Sequence, residues 1–160
     1  MGSKRFPGKV LENFNGLPLI AHIIHLAESL PFDYILATPS TEDNHPLWIY
    51  ATSLGAKIFK GSDEDVLDRF YQCARSYSAD IIIRLCADTP LITRTDVLLQ
   101  LAYHEQINRF TYGNGVYIMS MEDLEEAWVN AKHPDQREHI IPYMIRCIDY
   151  PEDIEKWQKV

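Results

Sequence analysis

The chain has 160 residues, of which 46% are hydrophobic and 24% charged, values that are ordinary for a single globular domain. Its net charge of −8 argues against binding to nucleic acid or to an anionic membrane surface, because both need a basic face. No apolar run is long enough to cross a bilayer, no signal peptide is recognisable, and the three cysteines lack the spacing of a metal site. We therefore expect a cytoplasmic protein without a nucleic-acid or membrane partner.

The first ten residues, MGSKRFPGKV, form a loop that combines glycines with cations. Glycine lets the backbone approach a ligand closely, and backbone N–H groups beside Lys and Arg suit phosphate oxygens. The same residues are also compatible with an expression scar or a frayed terminus. Taken alone, the loop leaves these interpretations open.

Helical and strand patterns alternate along the rest of the chain, and 79–86 is expected to be the best buried strand. The predicted helices cover 18–30, 43–54, 62–78, 121–132 and 136–146, with one from about Thr95 and a short one after Pro151. The predicted strands cover 34–39, 56–61, 79–86 and 115–119. Strands joined by helices predict one three-layer α/β domain, with helices on both faces of a mostly parallel sheet.

Polar residues follow several of the apolar runs, and ligands bind at the carboxyl ends of strands in parallel sheets. Thr38 lies at the end of the first predicted strand, Asp88 follows 79–86, and Asp149 ends another short apolar run. A strand-end aspartate is often only a cap for the next helix. Two carboxylates facing a cationic glycine loop indicate instead Mg²⁺ beside a phosphate cradle, the arrangement used in nucleotidyl transfer.

Six segments, spread in order over nearly the whole chain, resemble the motifs of one enzyme family. They are GSKRFPGK, ILATPSTEDN, KIFKGSDEDVLDRFYQCA, IIRLCADTPLI, QREHIIPYMI and IDYPEDIEKW. The chain resembles cytidylyltransferases that activate sugar acids as CMP-sugars, especially the spore-coat polysaccharide type, besides the acylneuraminate and 3-deoxy-manno-octulosonate enzymes. The resemblance identifies the opening loop as the nucleotide loop and implies a nucleotide-diphospho-sugar transferase fold of the GT-A, Rossmann-like type.

The resemblance also implies a reaction for surface polysaccharide biosynthesis. The anomeric hydroxyl of a sugar acid would attack the α-phosphorus of CTP and expel pyrophosphate. Arg5 and Lys9 would hold triphosphate oxygens, with hydrogen bonds from the backbone of Gly2 and Ser3. Lys9, Arg5 and Asp88 are therefore the implied catalytic residues.

The remaining site residues follow from the same resemblance. Asp88 and Asp149 would hold Mg²⁺ against the α-phosphate. The nucleotide base and ribose would lie near Thr38, Ser62 and Arg69, although an ion-pair face on its own helix would explain Arg69 equally well.

Two further residues, Arg137 and His139, are weaker candidates for binding the sugar carboxylate. Helix capping or a subunit contact is at least as good an explanation for His139.

In two respects the chain departs from the family pattern. Relatives carry a buried strand ending in Gln-Ala-Arg before the nucleotide loop, and they are longer after NRF and after PYMI. We therefore predict one cytidylyltransferase-like domain over residues 1–160, truncated at its amino end and internally shortened. Loss of a central strand predicts an exposed apolar slot with unpaired backbone groups. A homodimer is expected, because relatives are dimers and this chain has extra apolar surface to cover.

Two alternatives to a CTP-dependent enzyme remain at this point. One is a catalytically inactive relative that binds a nucleotide or sugar and acts through a partner. The other is a GT-A-like transferase that uses another nucleotide or nucleotide sugar.

Overall fold

The structure, a computed structural model, describes residues 8–140. Predictions for Gly2, Ser3, Arg5 and Asp149, and for the segment after Pro151, lie outside these residues. The helices are α1 (Leu19–Glu28), α2 (His45–Ser53), α3 (Val66–Ser76), α4 (Arg94–Ile107), α5 (Met121–Asn130) and α6 (Pro134–His139). The strands are β1 (Asn13–Phe14), β2 (Leu17–Pro18), β3 (Ile35–Pro39), β4 (Lys57–Gly61), β5 (Ile81–Leu85), β6 (Thr111–Gly113) and β7 (Val116–Ser120).

The predicted elements within the described residues are confirmed in type, with differences at their ends. Helix α3 begins at Val66 rather than at Ser62 or Asp63. The reason is that the Asp65 carboxylate accepts a hydrogen bond from the backbone N–H of Asp68 at 2.8 Å and so caps the helix. Along residues 8–140, no helix has the length and apolar character needed to span a membrane.

The sequence patterns missed the short strands β1, β2 and β6. Strands of two or three residues are too short to show a period-2 alternation. The β1–β2 hairpin nevertheless has a clear local cause, because Asn15 and Gly16 both adopt positive φ angles, 51° and 89°. An Asn-Gly pair in this conformation is typical of a two-residue hairpin turn.

The α/β class is confirmed, but the strand directions are mixed rather than mostly parallel. Strands β3 and β4 pair in parallel, whereas β5, β7 and β6 form an antiparallel sheet in that order. The connection between β6 and β7 is only the Asn114–Gly115 turn, and so short a connection requires antiparallel pairing.

Strand β7, and not β5, is the most buried strand among those described. Four consecutive β7 residues, Val116 to Met119, are buried, whereas Ile81 at the start of β5 is 44% exposed. The order β5-β7-β6 explains the difference, since β7 has a neighbour on each side and β5 has one. The prediction that 79–86 is the best buried strand is therefore wrong.

Two helices pack against both sheets from opposite faces. One end of α1 packs in a cluster with Leu36 of β3, while Leu26 near its other end packs with Ile83 of β5. Helix α3 contacts β3 and β4, and its Tyr71 belongs to a cluster against which Ile82, on the other face of β5, packs. Across residues 8–140, no backbone hydrogen bonds pair β3 with β5.

Candidate active site

Lys9 and Asp88 form an ion pair between the opening loop and the loop after β5. Gly8 has a left-handed backbone conformation (φ 77°, ψ 2°) and precedes a short 3-10 turn over Lys9–Leu11. The ammonium group of Lys9 donates a hydrogen bond to the Asp88 carboxylate. The two side chains are 31% and 45% exposed, so a ligand can reach both charges. The structure thus brings together two of the three implied catalytic residues.

The loop after β5 presents Asp88 to Lys9, which lowers the pKa of the Asp88 carboxyl. Thr89 closes a turn onto Cys86, with its hydroxyl donating to the Cys86 carbonyl oxygen at 2.7 Å. The hydrogen bond from Lys9 holds the pKa of Asp88 below its ordinary value, against a smaller opposing effect of burial. The following helix α4 is capped by Thr93 and Asp96, so Asp88 does not cap it. The helix-cap interpretation of Asp88 is therefore wrong.

The Asp88 carboxylate is suited to Mg²⁺ as one oxygen ligand. Mg²⁺ is commonly held by one or two carboxylates together with substrate phosphates. Within residues 8–140, no three His, Cys, Asp or Glu side chains group closely enough to hold a metal by themselves. The second predicted ligand, Asp149, lies outside the described residues, and the magnesium site stays a prediction.

Thr38, predicted to lie near the nucleotide, is hydrogen-bonded to Trp48. Its side chain is only 2% exposed, and its hydroxyl accepts a hydrogen bond from the Trp48 indole N–H at 2.9 Å. Lys60, directly opposite Thr38 in the β3–β4 ladder, places its ammonium 3.2 Å from the centroid of a Trp48 ring. Thr38 therefore positions Trp48 and Lys60 near the carboxyl ends of β3 and β4.

Ser62 and Arg69 meet where β4 ends and the turn into α3 begins. The Arg69 guanidinium donates to the carbonyl oxygen of Ser62 at 2.5 Å. A Cβ at Gly61 would lie 2.8 Å from Cγ of Arg69, so glycine permits this close packing. Burial lowers the pKa of Arg69, and nearby Asp63 partly opposes that effect. These two predicted nucleotide-site residues are thus neighbours.

Arg137 joins α6 to α3 and α5. It donates to the Asp65 carboxylate at 2.5 Å and to the carbonyl oxygens of Trp128 and Ala131 at 2.9 and 3.2 Å. Because Asp65 pairs with Arg137, the ion-pair face expected on α3 is replaced by contacts between helices. His139 is exposed in the last turn of α6.

Arg84, which the sequence analysis did not single out, lies in β5 and contacts two aromatic rings. Its guanidinium carbon lies 4.7 Å from the Tyr117 ring centroid and 5.3 Å from that of Phe70. The feature of the sequence that could have indicated this residue is a single arginine inside the apolar run IIIRLC. Its importance depends on the unpaired state of its donor atom, which only the structure shows.

Cys73 and Cys86 are free thiols in the structure. Burial raises the pKa of Cys73 to about 11 and also raises the pKa of Cys86. Both are therefore protonated near neutral pH, in agreement with a packing role rather than a nucleophilic one.

Two proteins from other organisms are similar to this chain over most of its length. An uncharacterized protein of Methanocaldococcus jannaschii, MJ1063, is 34% identical over 154 residues, which cover 89% of this chain and 63% of that protein. The spore coat polysaccharide biosynthesis protein SpsF of Bacillus subtilis is 32% identical over 120 residues, covering 70% of this chain and 50% of SpsF. The chain thus spans only about half to two thirds of the length of these relatives.

Solved structures show the same fold. A cytidylyltransferase from Leptospira borgpetersenii matches 98% of this chain and 69% of its own, with a TM-score of 0.80 and 27% identity. A CMP:2-keto-3-deoxy-manno-octonic acid synthetase complexed with CTP matches 99% of this chain and 93% of its own. Its TM-score of 0.68 at 18% identity shows a shared fold. Finally, the family model described as cytidylyltransferase matches residues 1–150, and the chain belongs to the cytidylyltransferase family.

Proposed function

We propose that the protein transfers a cytidylyl group from CTP to a sugar acid, yielding a CMP-sugar and pyrophosphate. The observation that carries this proposal is the accessible Lys9–Asp88 pair, which joins the glycine loop to the end of β5. A cation for phosphate oxygens and a carboxylate for a metal thus lie side by side. The printed role of SpsF in spore coat polysaccharide biosynthesis supports a place in polysaccharide synthesis. The synthetase solved with CTP supports the nucleotide.

In the proposed reaction the protein acts mainly by positioning and by charge neutralisation. Lys9 and Arg5 bind oxygens of the triphosphate, and the Gly2–Ser3 backbone donates hydrogen bonds. Asp88 and Asp149 would hold Mg²⁺, with Lys9 then free to bind phosphate oxygens. When bound, Mg²⁺ would neutralise phosphate charge and lower the pKa of the attacking hydroxyl.

The reaction balances without a further reactant. The anomeric oxygen of the sugar acid forms a bond to the α-phosphorus, and its proton passes to solvent. The bond from the α-phosphorus to the bridging oxygen breaks, and pyrophosphate leaves with the bonding electron pair.

The other implied residues complete the proposal. The base and ribose lie near Thr38 and Ser62, and Arg69, whose guanidinium donates to the Ser62 carbonyl oxygen, borders that region. Arg137 with His139 lies on the sugar side. The extensive fold contacts of Arg137 make its contribution to sugar binding the weaker part of the proposal. We further propose that the protein acts in the cytoplasm as a homodimer, without nucleic acid or membrane partners.

The test is pyrophosphate release, measured together with thermal shift, for each of the four nucleoside triphosphates with Mg²⁺. The acceptors are 3-deoxy-manno-octulosonate and N-acetylneuraminate, each run against a control without acceptor. CTP-selective stabilisation with acceptor-dependent pyrophosphate release is the expected result. Stabilisation by CTP without turnover would indicate an inactive relative, and preference for UTP or GTP would indicate another transferase of the same fold.

A further inference from the structure

The buried Nε of Arg84 has no hydrogen-bond acceptor within residues 8–140. Arg84 lies directly opposite Tyr117 in the β5–β7 ladder, and the rings of Tyr117 and Phe70 contact its guanidinium. Its Nε is buried without a hydrogen-bond partner, and no acid of residues 8–140 forms an ion pair with it. Buried donors are normally satisfied, so this arrangement is typical of a group that a ligand completes.

Arg69 places a second cation beside the first. It precedes Phe70 on α3, it is 8% exposed, and its Nε is also buried without a partner. Burial lowers the pKa of Arg69, the charges of Asp63 and Asp65 oppose this, and the positive charge of Arg84 lowers it further. Two guanidinium groups that repel each other favour a negatively charged group between or beside them.

The two arginines lie on the side of β5 away from α1. Side chains alternate along a strand, so Ile83 packs toward α1 whereas Ile82 and Arg84 face the α3 side. Lys9 belongs to a turn that contacts α1, and its ammonium group donates to the Asp88 carboxylate. The positive charge of Arg84 also contributes to the lowered pKa of Asp88. The positive charges of Lys9 and Arg84 therefore both act on Asp88.

We propose that Arg84 and Arg69 form a second oxyanion-binding centre, distinct from Lys9, that holds a phosphate or carboxylate group of the reacting ligands. A guanidinium offers parallel N–H donors that match either group, and the rings of Phe70 and Tyr117 hold the Arg84 fork in one plane. The inference rests on the proposed function, because CTP and a sugar acid are the two ligands that supply these groups. A neutral base is disfavoured, because it would leave both positive charges uncompensated.

The test compares Arg84→Lys and Arg84→Met with the unmodified chain by isothermal titration calorimetry. Lysine keeps the charge but removes the planar fork, and methionine keeps apolar contact with the rings. Arg75→Met, at an exposed arginine in the last turn of α3, the helix that also carries Arg69, is the control. The probes are CTP with Mg²⁺, cytidine, and 3-deoxy-manno-octulosonate in the presence of a nonhydrolysable CTP analogue. Thermal midpoints are recorded for every variant.

We expect both Arg84 variants to bind an anionic probe about 10- to 100-fold more weakly, as the loss of a charge-assisted hydrogen bond predicts. Weaker binding of CTP but not of cytidine would identify a phosphate, and weaker binding of the sugar acid alone would identify a carboxylate. Unchanged affinities for all probes, even with a lowered thermal midpoint, would make Arg84 a packing group and overturn the inference. Equal weakening for cytidine and CTP would also overturn it, since the contact would then be to the nucleoside. An unmodified chain that binds none of the probes would overturn this inference and the proposed function together.

Discussion

The ammonium group of Lys9 donates a hydrogen bond to the carboxylate of Asp88, although the two residues are 79 positions apart in the sequence. Both side chains are partly exposed, so the pair is available for exchange with a ligand. An exposed ion pair of this kind is worth about 0–1 kcal/mol of stability. The pair therefore contributes little to the stability of the fold.

Replacing Lys9 with alanine should weaken CTP binding while leaving the fold intact. We expect the dissociation constant to rise about 10-fold or more, since charge-assisted hydrogen bonds contribute about 1.5–3 kcal/mol. Isothermal titration calorimetry measures the affinity, and circular dichroism checks the fold. Lys57→Ala removes an exposed lysine that lies 4.0 Å from Asp33 and serves as the control. An unchanged CTP affinity in Lys9→Ala would remove the phosphate role of Lys9.

Asp88→Asn should abolish cytidylyl transfer with little change in stability. The amide keeps the size of the side chain but is a poor Mg²⁺ ligand and loses the charge that attracts Lys9. Loss of about 0–1 kcal/mol corresponds to a thermal midpoint lower by at most about 4 °C. Pyrophosphate release and differential scanning fluorimetry measure the two effects. Full turnover in this variant would exclude Asp88 from the chemistry.

The contribution of the Lys9–Asp88 pair to stability should disappear in acid. The pKa of Asp88 is lowered in the folded chain, so the carboxylate binds its proton more weakly there than when unfolded. Its stabilisation is then present above about pH 4 and is lost as the pH falls through the lowered value. Urea midpoints of the unmodified chain and Asp88→Asn should differ slightly at pH 7 and coincide near pH 2. A difference that grows toward low pH would contradict the assignment.

Arg137→Met should lower stability more than it changes ligand affinity. The substitution removes the contacts to Asp65 and to the carbonyl oxygens of Trp128 and Ala131. We expect a loss of about 1–3 kcal/mol in the free energy of unfolding, which urea titration measures. Glu138→Ala, at the next and exposed position of α6, should be nearly silent. If Arg137→Met leaves the free energy of unfolding unchanged but raises the KM for the sugar acid, the prediction is wrong and Arg137 binds the sugar.

A homodimer should form through an apolar face of α4, if the expected assembly is correct. Leu99 and Tyr103 lie one turn apart on this helix and are 66% and 53% exposed. Light scattering at micromolar concentration should give the mass of two chains, and Leu99→Glu should give that of one. Ile49→Glu alters a residue that is 60% exposed on α2 and serves as the control. A monomeric unmodified chain would contradict the prediction.

Local sequence patterns were sufficient for the type and order of the main elements. Helices α1 and α3 follow from apolar residues at helical spacing, and the parallel strands β3 and β4 follow from short apolar runs that end in turn residues. The ends of the helices were harder to predict. Ser62 and Asp65 are both residue types that cap helices, and only the hydrogen bond from the Asp68 N–H shows that Asp65 caps α3. The short strands β1, β2 and β6 were missed, since their pairing depends on turns rather than on alternation.

The sequence by itself determined the α/β class and the family resemblance and predicted Lys9 and Asp88 as site residues, because these depend on local periodicity and on motifs. Only the tertiary structure decided that, among residues 8–140, β5 has a single neighbouring strand, Arg137 holds helices together and Arg84 has a buried donor without a partner. Each of these properties depends on which distant residues become neighbours. Burial, charge and hydrogen-bond satisfaction arise from that three-dimensional arrangement, and adjacent positions in a sequence do not record it.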